Sequence, residues 1–155
     1  MSRRLTPLAV IATALALGAC GPEPATGTWV FINGDVITNT CNFDDAQIAE
    51  GNFSITNNGN DTFTVDPQDG TDAFLCTMDG ADFICPERLQ DSFSAFGATV
   101  TIRVSASGFF DSDTFASGRQ EANVTCSGAA CASSGIFGVD FPCTVVANFT
   151  ATYQG

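Results

Sequence analysis

Apolar and polar residues alternate along two long segments of the chain, and this period of two predicts β-strands. In residues 99–105 the apolar positions are Val100, Ile102 and Val104, and the residues between them are polar. In residues 144–153 a second series of apolar side chains occupies every other position, namely Val145, Ala147, Phe149, Ala151 and Tyr153. Each segment is predicted to be a strand with one buried face and one solvated face.

Residues 57–60, with the sequence Asn-Asn-Gly-Asn, predict a hairpin turn between two apolar segments. A two-residue turn would pair Ile55 with Thr62. A three-residue loop centred on Gly59 would instead pair Ile55 with Phe63 and keep the apolar side chains of both strands on one face. We favour the three-residue loop for this reason.

A second predicted hairpin contains a choice between two turns, a type I′ turn at Asp79-Gly80 or a type II′ turn at Gly80-Ala81. The type II′ turn is favoured because it requires glycine at its first central position. In that register Cys76 lies directly opposite Cys85, at a separation within the range of disulfide geometry. The sequence therefore predicts a Cys76–Cys85 bridge across this hairpin.

The composition beyond the first 19 residues favours sheet over helix, because only two leucines, Leu75 and Leu89, occur among many Phe, Thr, Val, Ser and Gly. Short helical turns are expected only at residues 44–50 and 87–93. The predicted fold class is all-β, a small antiparallel meander that forms either an up-and-down barrel or a two-layer sandwich. Residues 28–155 are predicted to be a single β domain.

The N-terminal segment has the organisation of an export signal. Arg3 and Arg4 precede an apolar stretch over residues 8–17. This stretch is too short to span a bilayer, which needs roughly 20 apolar residues. Residues 1–19 are therefore predicted to be a signal peptide that is removed from the mature protein.

The four residues 17–20, Leu-Gly-Ala-Cys, resemble the lipobox of bacterial lipoproteins. This resemblance implies cleavage before Cys20, acylation of the Cys20 sulfur, and a cell-envelope protein held at a membrane by its lipid. In that family an Asp after the cysteine retains the protein at the inner membrane, so Gly21 implies the outer membrane where a cell has both. Residues 20–27 are interpreted as the lipidated cysteine and a semi-extended Pro/Gly tether. In the alternative interpretation, the signal is an ordinary secretory one and Cys20 is incidental.

The charge of the mature chain excludes one class of partner. Without residues 1–19, three arginines and no lysine face 17 acidic residues. A net charge of about −14 repels phosphate backbones and anionic lipid headgroups, so nucleic-acid binding is not expected. The lipid, rather than surface charge, is expected to hold the protein at the membrane.

The cysteine count fits an exported protein with a disulfide framework. Of the seven cysteines, six remain besides Cys20, and an even set in an oxidising compartment predicts three bridges. Cys126 and Cys131 flank a four-residue turn that they could close, which would leave Cys41 to pair with Cys143; Cys143 could instead pair with Cys126 or Cys131. A zinc site is not expected, because the chain has neither histidine nor a Cys-x-x-Cys pair.

Gly27-Thr28-Trp29, at the start of the first predicted strand, resembles the Gly-x-Trp motif of the lipocalins. The resemblance implies an up-and-down barrel with an interior site for a small apolar ligand. The side chains that would line such an interior are Trp29, Phe31, Phe53, Phe63, Ile102, Val104 and Phe149. In the alternative interpretation, Trp29 is an ordinary aromatic anchor of a small β core.

The inventory of catalytic groups is poor, because the chain has no histidine and no lysine. Serine, cysteine and zinc hydrolase arrangements that use a histidine are therefore excluded. Acidic residues cluster in two loops, residues 66–72 and 111–113, but neither matches an EF-hand loop, and Asp favours turns in its own right. We assign no catalytic residue, metal or cofactor and predict that the protein is not an enzyme.

Three functional hypotheses follow. The first is a surface-displayed structural or interaction module, which predicts an interior filled by phenylalanine and an exposed apolar patch. The second is a lipocalin-like carrier of an apolar ligand, which predicts a hollow barrel with a cavity of several hundred Å³, as is typical of small-molecule sites. The third is a carboxylate-dependent glycan hydrolase, which predicts two acids facing each other beside aromatic side chains. A monomer is expected, and the sequence names neither the ligand nor a protein partner.

Overall fold

Eight antiparallel strands form a closed barrel in the computed structural model, which describes residues 21–42, 51–132 and 139–155. Each strand pairs with the next along the chain, and β8 pairs back with β1. The strands are β1 (Gly27–Asn39), β2 (Gly51–Gly59), β3 (Thr62–Asp66), β4 (Phe74–Asp79), β5 (Asp82–Ala95), β6 (Ala98–Ser112), β7 (Phe115–Ser127) and β8 (Cys143–Tyr153). The predicted all-β meander is confirmed, and the barrel, rather than the sandwich, is the form it takes. The signal peptide, Cys20 and the helical turn predicted for residues 44–50 lie outside the described residues.

The two strands predicted from alternation are β6 and β8, and β6 is longer than predicted. Its inward positions continue beyond Val104 through Ala106 and Gly108 to Phe110, whose side chain is buried. In β8 the inward residues include Ala147 and Ala151, both buried. These long strands span the barrel from one end to the other, so they contribute side chains to both its core and its cavity.

The hairpin between β4 and β5 has the predicted type II′ turn. Met78 pairs with Phe83 and Asp79 with Asp82, which leaves Gly80 and Ala81 as the two turn residues. Gly80 has a φ of 64°, the positive value that this turn requires at its first central position. The Cys76–Cys85 disulfide is present, with its Cα atoms 4.3 Å apart.

The favoured register of the β2–β3 hairpin is wrong, and so is the alternative. Ile55 pairs with Val65, and Gly59 pairs with Thr62, so the turn lies at Asn60 and Asp61 and not around Gly59. Both turn residues adopt positive φ, 52° and 56°, which Asn and Asp tolerate better than other non-glycine residues. A register shift between residues 57 and 59 absorbs the extra residue, so the apolar side chains of both strands still face inward.

The helical turn predicted for residues 87–93 is also wrong, because this segment belongs to β5. Its backbone pairs with β6 from Arg88 onward, with register shifts between Cys85 and Arg88 and between Leu89 and Asp91. These irregularities disrupt the period of two in the sequence, which hid the strand. Pairing with a long neighbouring strand overrides a weak local helix preference.

Two further disulfides complete the framework. Cys41 and Cys143 join the chain just beyond β1 to the start of β8 across 102 positions in sequence. Cys126 and Cys131 close a short turn after β7, where Ala129–Ala132 form a single 3₁₀ turn. Both pairings are the ones favoured from the sequence. Cys143 does not pair with Cys126 or Cys131.

Candidate functional site

The barrel encloses a cavity of about 550 Å³. All seven side chains predicted to line a barrel interior lie on its wall: Trp29, Phe31, Phe53, Phe63, Ile102, Val104 and Phe149. Small inward residues such as Ala106, Ala122 and Ala147 also line it. Because these alanines add little volume on three neighbouring strands, the aromatic side chains opposite them do not fill the interior.

Aromatic rings form one end of this cavity, and we call Trp29, Phe63, Phe83 and Phe110 the aromatic floor. The ring centroids of Phe63 and Phe110 are 5.4 Å apart, and the rings meet at 77°. Those of Phe83 and Phe110 are 5.1 Å apart, and Trp29 lies edge-on to Phe110 at 6.1 Å. These separations fall in the favourable range for aromatic pairs, so the floor is a packed apolar surface.

Phe83 and Phe110 were missed by the sequence reasoning, although the signals were available. The predicted register with Cys76 opposite Cys85 also pairs Phe83 with Met78, two residues along each strand on the same face, and the structure has this pair. Continuing the alternation of β6 from Val104 leads directly to Phe110. Extending the β4–β5 pairing and the β6 alternation by a few residues therefore identifies both side chains as inward-facing.

Residues 21–26 lie across the end of the barrel beneath the aromatic floor. We call this end of the barrel the closed end. The backbone nitrogen of Ala25 donates to the Asp113 carbonyl oxygen at 2.8 Å, and Pro24 is fully buried. The Trp29 indole nitrogen donates to the Ala25 carbonyl oxygen at 2.9 Å. The structure thus differs from the extended tether expected here, because these residues pack on the barrel and cover its base.

Polar contacts beside this segment hold it in place. The backbone nitrogen of Glu23 donates to the Asp113 carboxylate at 3.0 Å. The Glu23 carboxylate accepts a hydrogen bond of 3.0 Å from the side-chain amide of Asn57, and the Thr26 hydroxyl accepts one of 2.9 Å from the Asn57 backbone nitrogen. The segment is therefore joined to both the β2–β3 and the β6–β7 turns.

We call the opposite end of the cavity the mouth. The loop between β3 and β4 lies there, and its residues Pro67, Gln68 and Asp69 line the cavity. Asp69 accepts hydrogen bonds from the Thr71 hydroxyl at 2.6 Å, the Thr71 backbone nitrogen at 2.9 Å and the Gln90 amide at 2.9 Å. The Thr71 hydroxyl in particular lowers the pKa of the Asp69 carboxyl, against an opposing effect of burial.

Arg88 is the cationic side chain of the cavity wall. Its guanidinium carbon lies 4.6 Å from the centre of the Phe74 ring, and one of its terminal nitrogens donates to the Thr71 hydroxyl at 3.2 Å. Desolvation lowers the pKa of Arg88, and the nearby Asp69 carboxylate partly offsets this. Arg88 keeps its positive charge nonetheless, because guanidinium remains protonated in proteins.

The acidic loops supply neither a metal site nor a pair of cavity carboxylates. Within the described ranges, no group of three or more potential metal ligands occurs. Two carboxylates at the β3–β4 loop instead accept hydrogen bonds from residues of their own turns, Asp66 from the Gln68 backbone nitrogen at 2.9 Å and Asp69 from Thr71. Asp69 is the one carboxylate among the described residues that line the cavity, whereas a glycosidase mechanism uses two.

Comparisons with protein-family models, curated protein sequences and solved structures found no match to this chain. No helix in the described part of the chain has the length and apolar character needed to span a bilayer.

Proposed function

We propose that this protein is a lipid-anchored carrier of the cell envelope that holds a small apolar ligand inside its barrel. The observation that carries this proposal is the cavity of about 550 Å³ with its aromatic and aliphatic wall. Its size lies within the range of roughly 300 to 1,000 Å³ that is typical of small-molecule sites, and such sites are mostly apolar with a few polar groups. Arg88, Asp69 and Gln90 at the mouth supply those polar groups.

The cavity favours the carrier over the other two hypotheses. A purely structural module was expected to fill its interior with phenylalanine, since empty volume forfeits dispersion contacts and costs stability. A glycan hydrolase requires a second carboxylate facing Asp69, and the cavity wall in the described ranges offers none. A ligand-binding role accounts for the cavity that the side chains leave unfilled.

The lipid anchor proposed at Cys20 would give the carrier a defined orientation. Gly21, the next residue, lies beside the β4–β5 turn at the closed end, where a Cβ on Gly21 would come within 2.7 Å of the Gly80 carbonyl carbon. A lipid on Cys20 would therefore hold the closed end toward the membrane. The mouth would face away from it.

Filling the cavity tests the carrier function. Ala122 lines the cavity on β7, and Thr125 is exposed on the same strand. Ala122→Phe adds a ring inside the barrel, and Thr125→Phe adds the same ring outside. Binding is measured with N-phenyl-1-naphthylamine, a neutral apolar dye, and through the emission of Trp29, the single tryptophan of the chain, which lies in the floor.

We expect the wild type and Thr125→Phe to bind the dye equally, and Ala122→Phe to bind it at least tenfold more weakly while it remains folded. Native mass spectrometry of protein purified without detergent should also show a retained small molecule in the wild type. Absence of dye binding by the wild type, or equal binding by Ala122→Phe, would overturn the carrier proposal. The anchor is tested separately by the mass of the mature N-terminal peptide, with Cys20→Ala as the unacylated control.

A further inference from the structure

Three arginines occur among the described residues, and they do not share one environment. Arg103 on β6 and Arg119 on β7 are exposed on the outer surface of the barrel. Arg88 is half-buried and faces the cavity. Placing a cation against an apolar interior carries a desolvation cost, so this arginine is the one whose position calls for a compensating interaction.

The contacts of Arg88 use little of its hydrogen-bonding capacity. A guanidinium has five N–H donors, and among the described residues one hydrogen bond is made, to the Thr71 hydroxyl. The Phe74 ring, 4.6 Å from the guanidinium carbon, packs against it without accepting a conventional hydrogen bond. Within the described ranges no protein acceptor takes the remaining donors, so they can bind an acceptor inside the cavity.

Asp69 is close enough to Arg88 to affect its pKa, and both of its carboxylate oxygens already accept hydrogen bonds from other residues. One carboxylate oxygen accepts from Thr71 twice, and the other accepts from Gln90. Donor capacity on the Arg88 cation therefore remains beside the cavity. A ligand that completes this site must bring an acceptor, and a negatively charged acceptor forms the strongest hydrogen bonds to guanidinium.

The cavity also has an apolar end and a charged end on the same strand. β5 carries Phe83 in the aromatic floor and Arg88 nearer the mouth, paired with Gly108 and Val104 of β6 respectively. Resting on the carrier function proposed above, we propose that the ligand is a single-chain amphiphile with one negative charge, a fatty carboxylate. Its chain lies over the aromatic floor, and its carboxylate is bound by Arg88.

A pair of probes that differ only in the headgroup tests this proposal. Dodecanoate and 1-dodecanol, both below the concentrations at which they aggregate, compete with N-phenyl-1-naphthylamine for the full chain. The proteins are the wild type, Arg88→Gln, Arg88→Lys and the matched control Arg103→Gln, which removes an exposed arginine from the outer face. The measured quantity is the ratio of the two dissociation constants in each protein.

We expect the wild type and Arg103→Gln to prefer dodecanoate, and Arg88→Gln to lose about 10- to 100-fold of that preference, the range of a hydrogen bond to a charged group. Binding of dodecanol should be unchanged. Arg88→Lys should restore part of the preference, because it keeps the charge but loses the planar fork. Melting curves of all four proteins show whether each is folded.

Three results would overturn the proposal. If dodecanol binds as tightly as dodecanoate in the wild type, the site has no preference for an anion, although the carrier function stands. If Arg88→Gln weakens both probes equally, Arg88 only supports the β3–β4 loop. If neither probe nor the dye binds, the carrier function fails as well.

Discussion

The indole nitrogen of Trp29 and the backbone carbonyl of Ala25 are joined by a hydrogen bond of 2.9 Å that links the barrel floor to the segment covering its base. Trp29 is fully buried, and its ring also packs edge-on against Tyr153 at 5.9 Å. A buried indole N–H needs a partner, and the chain provides one four residues earlier. The closed end is therefore built by residues 21–26 as much as by the strands.

Replacing Trp29 by phenylalanine tests this role. Trp29→Phe removes ring volume and leaves the Ala25 carbonyl without its donor, so we expect a loss of about 1 to 3 kcal/mol in the free energy of unfolding. Urea unfolding followed by far-UV circular dichroism measures it. Phe96→Leu is the control, since its ring is 86% exposed; an equal loss in both variants would contradict the prediction.

Two inward glycines determine how closely β6 and β7 approach. Gly108 and Gly118 pair directly, and a Cβ on Gly118 would lie 2.9 Å from both the Gly108 Cα and the Phe149 ring. Because the first of these contacts is with backbone, Gly118→Ala is expected to destabilise the protein by about 1 to 3 kcal/mol. The matched control is Gly34→Ala, where the nearest atom would be 3.6 Å away. Similar unfolding midpoints for these two variants would show that the close approach is not required.

The three disulfides are expected to contribute unequally. The Cys41–Cys143 bridge spans 102 positions and the Cys126–Cys131 bridge spans five. In the chain-entropy description, removing the first costs about 5 kcal/mol and removing the second about 2 kcal/mol. Paired Cys→Ala variants, compared by urea unfolding under oxidising conditions, measure the difference. A larger loss from the short bridge would contradict this ranking.

The Asp69 carboxylate should make the free energy of unfolding depend on pH in the acidic range. Its pKa lies below the ordinary value, chiefly because of the Thr71 hydroxyl, so folding favours the charged form. This contribution is present above about pH 4, the pKa of an unfolded-chain aspartate, and is lost as the pH falls through the folded-state pKa. The stability difference between wild type and Asp69→Asn should therefore shrink below about pH 4.

Thr71→Val supplies the internal check on this pH dependence. It removes the hydroxyl but keeps the backbone donor to Asp69. The stability that this variant loses on acidification should therefore be intermediate between the losses of the wild type and Asp69→Asn. Urea midpoints measured at intervals from neutral to acidic pH give all three curves. Parallel curves for the three proteins would show that Asp69 is not linked to folding.

Much of the fold could be predicted where short-range rules decide. The type II′ turn at Gly80 follows from the backbone freedom of glycine, and the Cys76–Cys85 bridge follows from that turn. The inward faces of β6 and β8 follow from alternation, so their cavity residues Ile102, Val104 and Phe149 could be named from the sequence. Arg88 was not found, because the register shifts in β5 conceal which of its residues face inward.

Longer-range features could not be predicted in this way. The β2–β3 register depends on Asn60 and Asp61 accepting positive φ, a choice that pairing with β1 and β4 helps to fix. The packing of residues 21–26 depends on Asp113, whose carboxylate accepts a hydrogen bond from the Glu23 backbone nitrogen 90 positions earlier. Neither partner of such a contact identifies the other in the sequence.

The sequence by itself determined that the chain folds as an antiparallel meander of half-buried strands and that Cys76 pairs with Cys85, because a period of two and turn geometry act over a few residues. Only the tertiary structure decided that the sheet closes and that its interior stays partly empty. That volume depends on which inward alanines and glycines become neighbours of which aromatic rings. Those neighbours are set once β8 pairs with β1.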